Sequence, residues 1–179
     1  MDSPGKSNLD KLIEGLLDKT QGEPMKYGDQ LVRIGGTEVQ ERLIQVLQSE
    51  NMEDAYLATR VLAQMDNKST SLDALFKVIH LPSNQHNNGG LVSLLEEFDL
   101  ATSFVDLFRI YLFGNFNAST LAKVHLDYAE FEITPRTLKK AEKHWHHFIN
   151  NASKNDGFEL KKAEAATILA ELKQLLEEE

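Results

Sequence analysis

The densest group of chemically versatile side chains is the run Lys143-His144-Trp145-His146-His147. On a helix, His144 and His147 are three positions apart and lie on one side, so both imidazoles could reach the same zinc ion. A zinc site needs more protein ligands, and the chain has no cysteine, no H-E-x-x-H motif and no third ligand at useful spacing in this segment. We therefore favour a structural interpretation, with Trp145 in the core and the histidines on a solvated flank, and predict no metal site.

The same part of the chain is basic. Residues 136–162 carry seven Lys or Arg and three Asp or Glu, whereas residues 36–132 carry six basic and 14 acidic residues. Such a concentration of positive charge could bind phosphate or nucleic acid. A solvated face of mixed sign is the simpler interpretation, because the middle of the chain is acidic and offers no basic surface for nucleic acid.

Familiar catalytic patterns are missing from the sequence. It contains no G-x-S-x-G, no P-loop and no G-x-G-x-x-G. The stretch Asn87-Asn88-Gly89-Gly90 lacks the Lys-Ser or Lys-Thr of a phosphate loop, and His80, His86 and His125 stand alone. We therefore predict a protein that is not an enzyme and needs no cofactor.

Composition narrows the class of protein further. The 179 residues include 41% hydrophobic and 26% charged side chains, which is typical of a folded globular protein. The net charge of −9 argues against a general binder of nucleic acid or anionic membranes. With no secretory pattern at the start and only short apolar runs, we predict one cytoplasmic domain over residues 1–179, with residues 1–6 frayed.

Helix periodicity and capping residues predict the elements. Ser7, with Asp10 three residues on, predicts the start of a helix that ends near Lys19. A second helix is expected to end at Gly35-Gly36, with Thr37 capping a third. The polar stretch 48–53 separates that helix from one over 55–65. Near the end of the chain, Thr134 and Pro135 predict a helix to about Asn150, followed by a helix over 158–176.

These helices follow a repeat. A shift of 32 residues places Leu43, Ile44, Val46 and Leu47 on Leu75, Phe76, Val78 and Ile79, and then on Leu107, Phe108, Ile110 and Tyr111. A shift of 33 places Ala58, Leu62, Met65 and Asp66 on Leu91, Leu95, Phe98 and Asp99, and then on Val124, Tyr128, Phe131 and Glu132. A period in the low thirties with two helices is typical of an α-solenoid.

Residues 34–65, IGGTEVQERLIQVLQSENMEDAYLATRVLAQM, resemble a HEAT-like repeat of the short type found in phycobilin lyases. The shared pattern is a glycine break, an apolar first helix (helix A), a polar turn and an alanine-rich second helix (helix B). The characteristic positions of helix B are occupied here by Ala58, Leu62 and Met65. Tyr56 stands where the family often has a basic residue, and the later repeats lack the glycine break. The resemblance implies an all-α, right-handed α-solenoid of about four to five HEAT-like helix pairs that binds other molecules, and it implies no reaction.

In such a solenoid, helix B usually lines the concave face. Its positions outside the apolar stripe would then meet a partner, or else be ordinary solvent-facing residues. They are Tyr56, Thr59, Arg60, Gln64, Lys123, Asp127 and Glu130. We expect a non-enzymatic protein-interaction module (adaptor, scaffold or small inhibitor), whose acidic surface suits a partner protein with a basic patch. The alternative is a nucleic-acid-binding or repair protein using the basic C-terminal segment, and a lyase has only the fold in its favour.

Overall fold

The structure is a computed structural model that describes residues 7–20, 22–154 and 157–178. It is 76% helical, and no strand occurs among the described residues, which confirms the all-α prediction. The helices are α1 (Asn8–Leu17), α2 (Met25–Ile34), α3 (Gly36–Leu47), α4 (Met52–Leu62), α5 (Lys68–Ile79), α6 (Gly89–Ser93), α7 (Phe104–Phe113), α8 (Phe116–Tyr128), α9 (Pro135–Asn151) and α10 (Phe158–Glu178). Short 3₁₀ segments cover Pro82–Asn84 and Leu94–Glu97.

The chain divides into two compact units, Met1–Phe98 and Asp99–Glu179, which we call the N-terminal and C-terminal units. The N-terminal unit contains α1 to α6 and the C-terminal unit contains α7 to α10. Within the described residues, no helix is both long enough and apolar enough to cross a membrane.

Capping side chains explain the starts of α1 and α4 in the N-terminal unit. Ser7 and Asp10 form the predicted capping box of α1. Gly35, with a positive φ of 61°, ends α2 as predicted, but α3 begins at Gly36, so the prediction that Thr37 caps this helix is wrong. α4 begins three residues earlier than predicted, because the Asn51 side chain accepts hydrogen bonds from the N–H groups of Glu53 and Asp54.

Close contact between α2 and α4 depends on a glycine. A Cβ at Gly28 would lie 2.8 Å from Cγ2 of Val61, so no larger residue fits without movement. Gly28 is buried in the middle of α2, where glycine disfavours the helix by about 1 kcal/mol relative to alanine. The close approach that it permits explains its presence.

The first repeat register agrees with the observed burial. The equivalent residues Leu43, Leu75 and Leu107 are all fully buried, on α3, α5 and α7 respectively. The second set of equivalent positions, Leu47, Ile79 and Tyr111, is buried as well. These three helices therefore use the same side to build the core of their unit.

The second register holds for its first shift and fails at the next. Leu91, Leu95 and Phe98 are buried as predicted, although α6 is only one turn of α-helix followed by 3₁₀. On α8, however, Val124 and Tyr128 are exposed, so their assignment to the core is wrong. The physical reason is that α8 buries its small residues, which are Ala118, Ser119 and Ala122.

In the C-terminal unit, α9 begins as predicted. Thr134 caps it and forms a reciprocal capping box with Thr137. Ala141 and Phe148 are buried, whereas Leu138 and Trp145 are half-buried. On α10, Ala165 and Leu169 are buried, whereas the apolar residues Leu160 and Ala163 are exposed. α10 packs on α7 and α9, so one side of this long helix supplies its buried residues.

Candidate functional site

The two most exposed large apolar side chains among the described residues, Phe116 and Tyr128, lie on one helix, α8. Asn115 fixes its start, because the Asn115 side chain accepts a hydrogen bond of 3.0 Å from the N–H of Ala118. Its small inner residues allow it to approach α7 closely across the turn at Gly114, where a Cβ would lie 3.1 Å from Cβ of Ala118. The large side chains of Phe116, Val124 and Tyr128 lie on the opposite, exposed side of the helix.

Four of these outward positions form a row. Phe116, Thr120, Val124 and Tyr128 follow one another at four-residue intervals and therefore lie along one face of α8. Their exposed fractions are 84% for Phe116, 49% for Val124 and 85% for Tyr128. The Thr120 hydroxyl donates to the backbone carbonyl of Phe116 at 2.9 Å, so it is satisfied within the helix. We call these four residues the α8 row.

Three residues that the sequence predicted as a binding site border the α8 row. Lys123 and Asp127 form an ion pair within α8, with 2.5 Å between Nζ and Oδ1. Glu130 lies in the exposed segment after the helix, together with Glu132. Three of the four residues of the row are therefore apolar or aromatic, and the exposed carboxylates of Glu130 and Glu132 follow its C-terminal end, where the helix dipole adds further negative potential.

Beneath α8, hydrogen bonds tie three segments together. The Ser119 hydroxyl lies 3.0 Å from the backbone carbonyls of both Tyr111 and Gly114, and it accepts a hydrogen bond of 2.8 Å from Nζ of Lys161 on α10. Lys161 also donates to the carbonyl of Leu112 at 3.3 Å. Burial lowers the pKa of the Lys161 amine below its ordinary value. Although a serine and a lysine are adjacent here, Ser119 is buried, so a substrate has no access to its hydroxyl.

The neighbouring phenol belongs to the same cluster. Tyr111 donates its O–H to the carboxylate of Glu164 on α10. Burial raises the pKa of Tyr111 strongly, and the hydrogen bond and negative charge of Glu164 raise it further. The cluster of Tyr111, Ser119, Lys161 and Glu164 therefore positions α8 and α10 on α7.

The other four predicted binding residues, on and after α4, do not form one exposed row. Thr59 is fully buried and donates its hydroxyl to the Ala55 carbonyl at 2.7 Å, so the expectation that it faces solvent is wrong. Tyr56 is half-buried, and its ring lies against Gly90 of α6. Arg60 is exposed, and Gln64, also exposed, lies beyond the end of α4. Helix α4 faces neighbours on more sides than the repeat pattern implied.

The histidines of α9 are separated by their surroundings. His147 contacts the ring of Phe113, and Asn151 lies 3.2 Å from its Nδ1. His144 lines a cleft with Lys140 and Lys143. Across the described part of the chain, no group of three or more His, Cys, Asp or Glu residues is arranged to hold a metal ion.

Sequence reasoning missed the most prominent residues of α8. The repeat register placed Val124 and Tyr128 in the core, and Phe116 drew no attention. A usable pattern was present, because Ala118, Ser119 and Ala122 share one side of the helix and are small enough for close packing. If these small residues are assigned to the buried side, the pattern predicts that Phe116, Thr120, Val124 and Tyr128 are exposed.

Comparison of the chain with protein-family models, with curated proteins and with solved structures found no match. The resemblance to HEAT-like repeats stays a prediction.

Proposed function

We propose that this protein is a non-enzymatic, cytoplasmic protein-interaction module, an adaptor, scaffold or small inhibitor, whose binding surface is the α8 row. The observation that carries the proposal is the pair of aromatic side chains at the ends of the row, each more than four-fifths exposed. Exposing aromatic rings to water is unfavourable, and clustered apolar side chains on a surface mark interaction sites. Tyrosine is also among the residues most often found to dominate binding energy.

The proposed occupant is an amphipathic helix of a partner protein with basic residues beside its apolar face. The α8 row is a ridge of residues four apart and about 18 Å long, which matches three to four turns of a second helix packed along it. Glu130 and Glu132 are exposed just after the row and give its end a negative charge, whereas Lys123 compensates the charge of Asp127. Lys or Arg on the partner would complement this charge and speed association at low salt.

One ridge provides less area than a standard stable interface, so binding should be transient. The test uses two synthetic helical peptides with the same apolar face, one with lysines and one with glutamates on its polar face. In fluorescence anisotropy, the lysine peptide should bind the full chain and the glutamate peptide should bind at least about tenfold more weakly, a difference of about 1.4 kcal/mol. Raising the salt concentration should weaken binding of the lysine peptide.

Variants locate the surface. The double variant Phe116→Ala, Tyr128→Ala should lose about tenfold or more in affinity, because each ring is an anchor. The matched control is Ile34→Ala, Leu81→Ala, which removes two exposed apolar side chains of the N-terminal unit and should leave affinity unchanged. Equal binding of both peptides, or equal losses in both variants, would reject the α8 row as the binding surface.

The nucleic-acid alternative has less support. Of the seven cations in residues 136–162, Lys161 is half-buried and bonded to Ser119, and Lys162 is paired with Glu159. A continuous basic surface along this segment would need both of them.

We also propose that the helix pairs stack as a right-handed α-solenoid of HEAT-like repeats. The support is the recurrence of buried equivalents on α3, α5 and α7 at shifts of 32 residues. Small-angle X-ray scattering tests this proposal, since a radius of gyration equal to that of a compact sphere of the same mass would reject it.

A further inference from the structure

A cleft in the C-terminal unit lies between the start of α7 and the first half of α9. Its volume is about 580 Å³. One wall comes from Thr102, two residues before α7, and from Val105 and Asp106 of α7, and the other comes from α9 and its cap. The lining residues on α9 and its cap are Thr134, Arg136, Thr137, Lys140, Lys143 and His144.

Three of the lining side chains are cations with no carboxylate partner. Among the described residues, Arg136, Lys140 and Lys143 make no ion pair or hydrogen bond through their side chains. The single acidic residue of α9, Glu142, is turned away from them and pairs with Lys173 of α10 at 2.8 Å. Asp106 and His144 each already interact with another residue. The cleft therefore holds three cations against one carboxylate, that of Asp106, in a protein whose net charge is −9.

This arrangement is unfavourable for the folded chain by itself. Arg136 lies in the first turn of α9, where the helix dipole favours acidic residues and disfavours cations, and that turn contains no acid. Arg136 and Lys140 are four apart, and Lys140 and Lys143 three apart, so like charges are neighbours on one face. An anion in the cleft would relieve the repulsion of all three side chains, and the N-terminal end of the helix dipole would add to their attraction.

We propose that the cleft binds a compact anion that carries at least two phosphate groups. An arginine offers a planar fork that fits phosphate oxygens, and the two lysines add point charges. Arg136 and Lys143 are seven residues apart on α9, about 10 Å along its axis, so an anion with two phosphate groups can reach both cations while their side chains stay extended. Nucleic acid fits less well, because Lys161 and Lys162 of the same basic segment are already engaged.

The probe is inorganic pyrophosphate, titrated into the full chain at low ionic strength and followed by calorimetry and by ³¹P NMR. We expect saturable binding at one site. The double variant Arg136→Ala, Lys140→Ala should lose about tenfold or more in affinity, because each lost contact is a charge-assisted hydrogen bond. The matched control Lys139→Ala, Lys154→Ala removes the same net charge from exposed positions outside the cleft and should bind pyrophosphate as the parent does.

Folding is checked separately with Arg136→Glu. It should raise the melting temperature in the absence of pyrophosphate, because it replaces a cation with an acid in the first turn, and it should abolish binding. No saturable binding to the parent, or equal losses in the cleft variant and its control, would overturn the proposal. Tighter binding of a single-stranded oligonucleotide that also depends on Lys154 would overturn it in favour of an extended nucleic-acid surface.

Discussion

Lys161 carries its charge into a partly buried position on α10, where its amine donates to Ser119 and to the carbonyl of Leu112. Burial lowers the pKa of this amine in the folded protein. Between that lowered pKa and the ordinary value near 10.5, the unfolded chain holds one proton more than the folded chain. The contribution of Lys161 to stability therefore becomes more favourable as the pH rises toward 10.5.

The variant Lys161→Met should lack this dependence. Denaturant unfolding at a series of pH values below about 10.5 measures the free energy of unfolding of both proteins. As the pH rises, this free energy should increase in the parent relative to the variant. A pH-independent difference would show that the Lys161 amine is not desolvated in the folded state.

Tyr111 behaves in the opposite sense. Its pKa is raised by burial and by the Glu164 carboxylate, so the folded protein keeps the phenol proton at a pH where the unfolded chain has lost it. Its contribution to stability is therefore present below about pH 10 and is lost as the pH rises above that value.

Absorbance at 295 nm reports the ionisation of tyrosine directly, because phenolate absorbs at this wavelength. In the folded protein, which has four tyrosines, Tyr111→Phe should leave the phenolate absorbance gained up to about pH 11 unchanged. A loss of one quarter of that absorbance in the variant would contradict the buried hydrogen bond between Tyr111 and Glu164.

Among single residues, the helix caps Ser7 and Thr134 were predictable from the sequence, whereas the cap predicted at Thr37 was wrong. Ser7 and Thr134 act on backbone N–H groups three residues away, so their effect is local and can be read from sequence. Thr59 was not predictable in this way. Its hydroxyl is satisfied by the carbonyl four residues earlier, which lets a polar side chain be buried at a position that the pattern assigned to solvent.

Among elements, α8 depends on its N-cap more than on a large apolar face. Asn115→Ala should lower the free energy of unfolding by about 0.5–2 kcal/mol, since the N–H of Ala118 loses its hydrogen-bond acceptor. Chemical denaturation measures this change. Asn117→Ala, an exposed position on the same helix, is the control and should be nearly neutral.

The periodicity of apolar residues predicted which segments are helices, but it did not always predict which side of a helix is buried. On α3, α5 and α7 large apolar residues such as Leu43, Leu75 and Leu107 are the buried ones, so residue size indicates which side of the helix faces the core. On α8 size and burial are reversed, because close packing against α7 selects small residues. The 3₁₀ segment Leu94–Glu97 likewise has an apolar pattern that a full helix would also satisfy.

At the scale of the whole molecule, the division into two compact units makes a prediction about cooperativity. Leu43→Ala and Leu107→Ala each remove a fully buried side chain, one from each unit, and each should cost about 2–5 kcal/mol. We expect hydrogen exchange by mass spectrometry to show lost protection mainly in the unit that carries the substitution. Lost protection across the whole chain in both variants would instead support the single cooperative domain that the sequence predicted.

The close packing of α8 against α7 also affects how the α8 row can change during evolution. Its attachment uses Ala118, Ser119 and Ala122 and carbonyl groups of the backbone. Phe116, Thr120, Val124 and Tyr128 are exposed and contribute little to that attachment. Substitutions in the row should therefore have little effect on stability. Selection for folding then does not prevent changes in the side chains that would bind a partner. The same property makes these four positions suitable for randomisation in a display library.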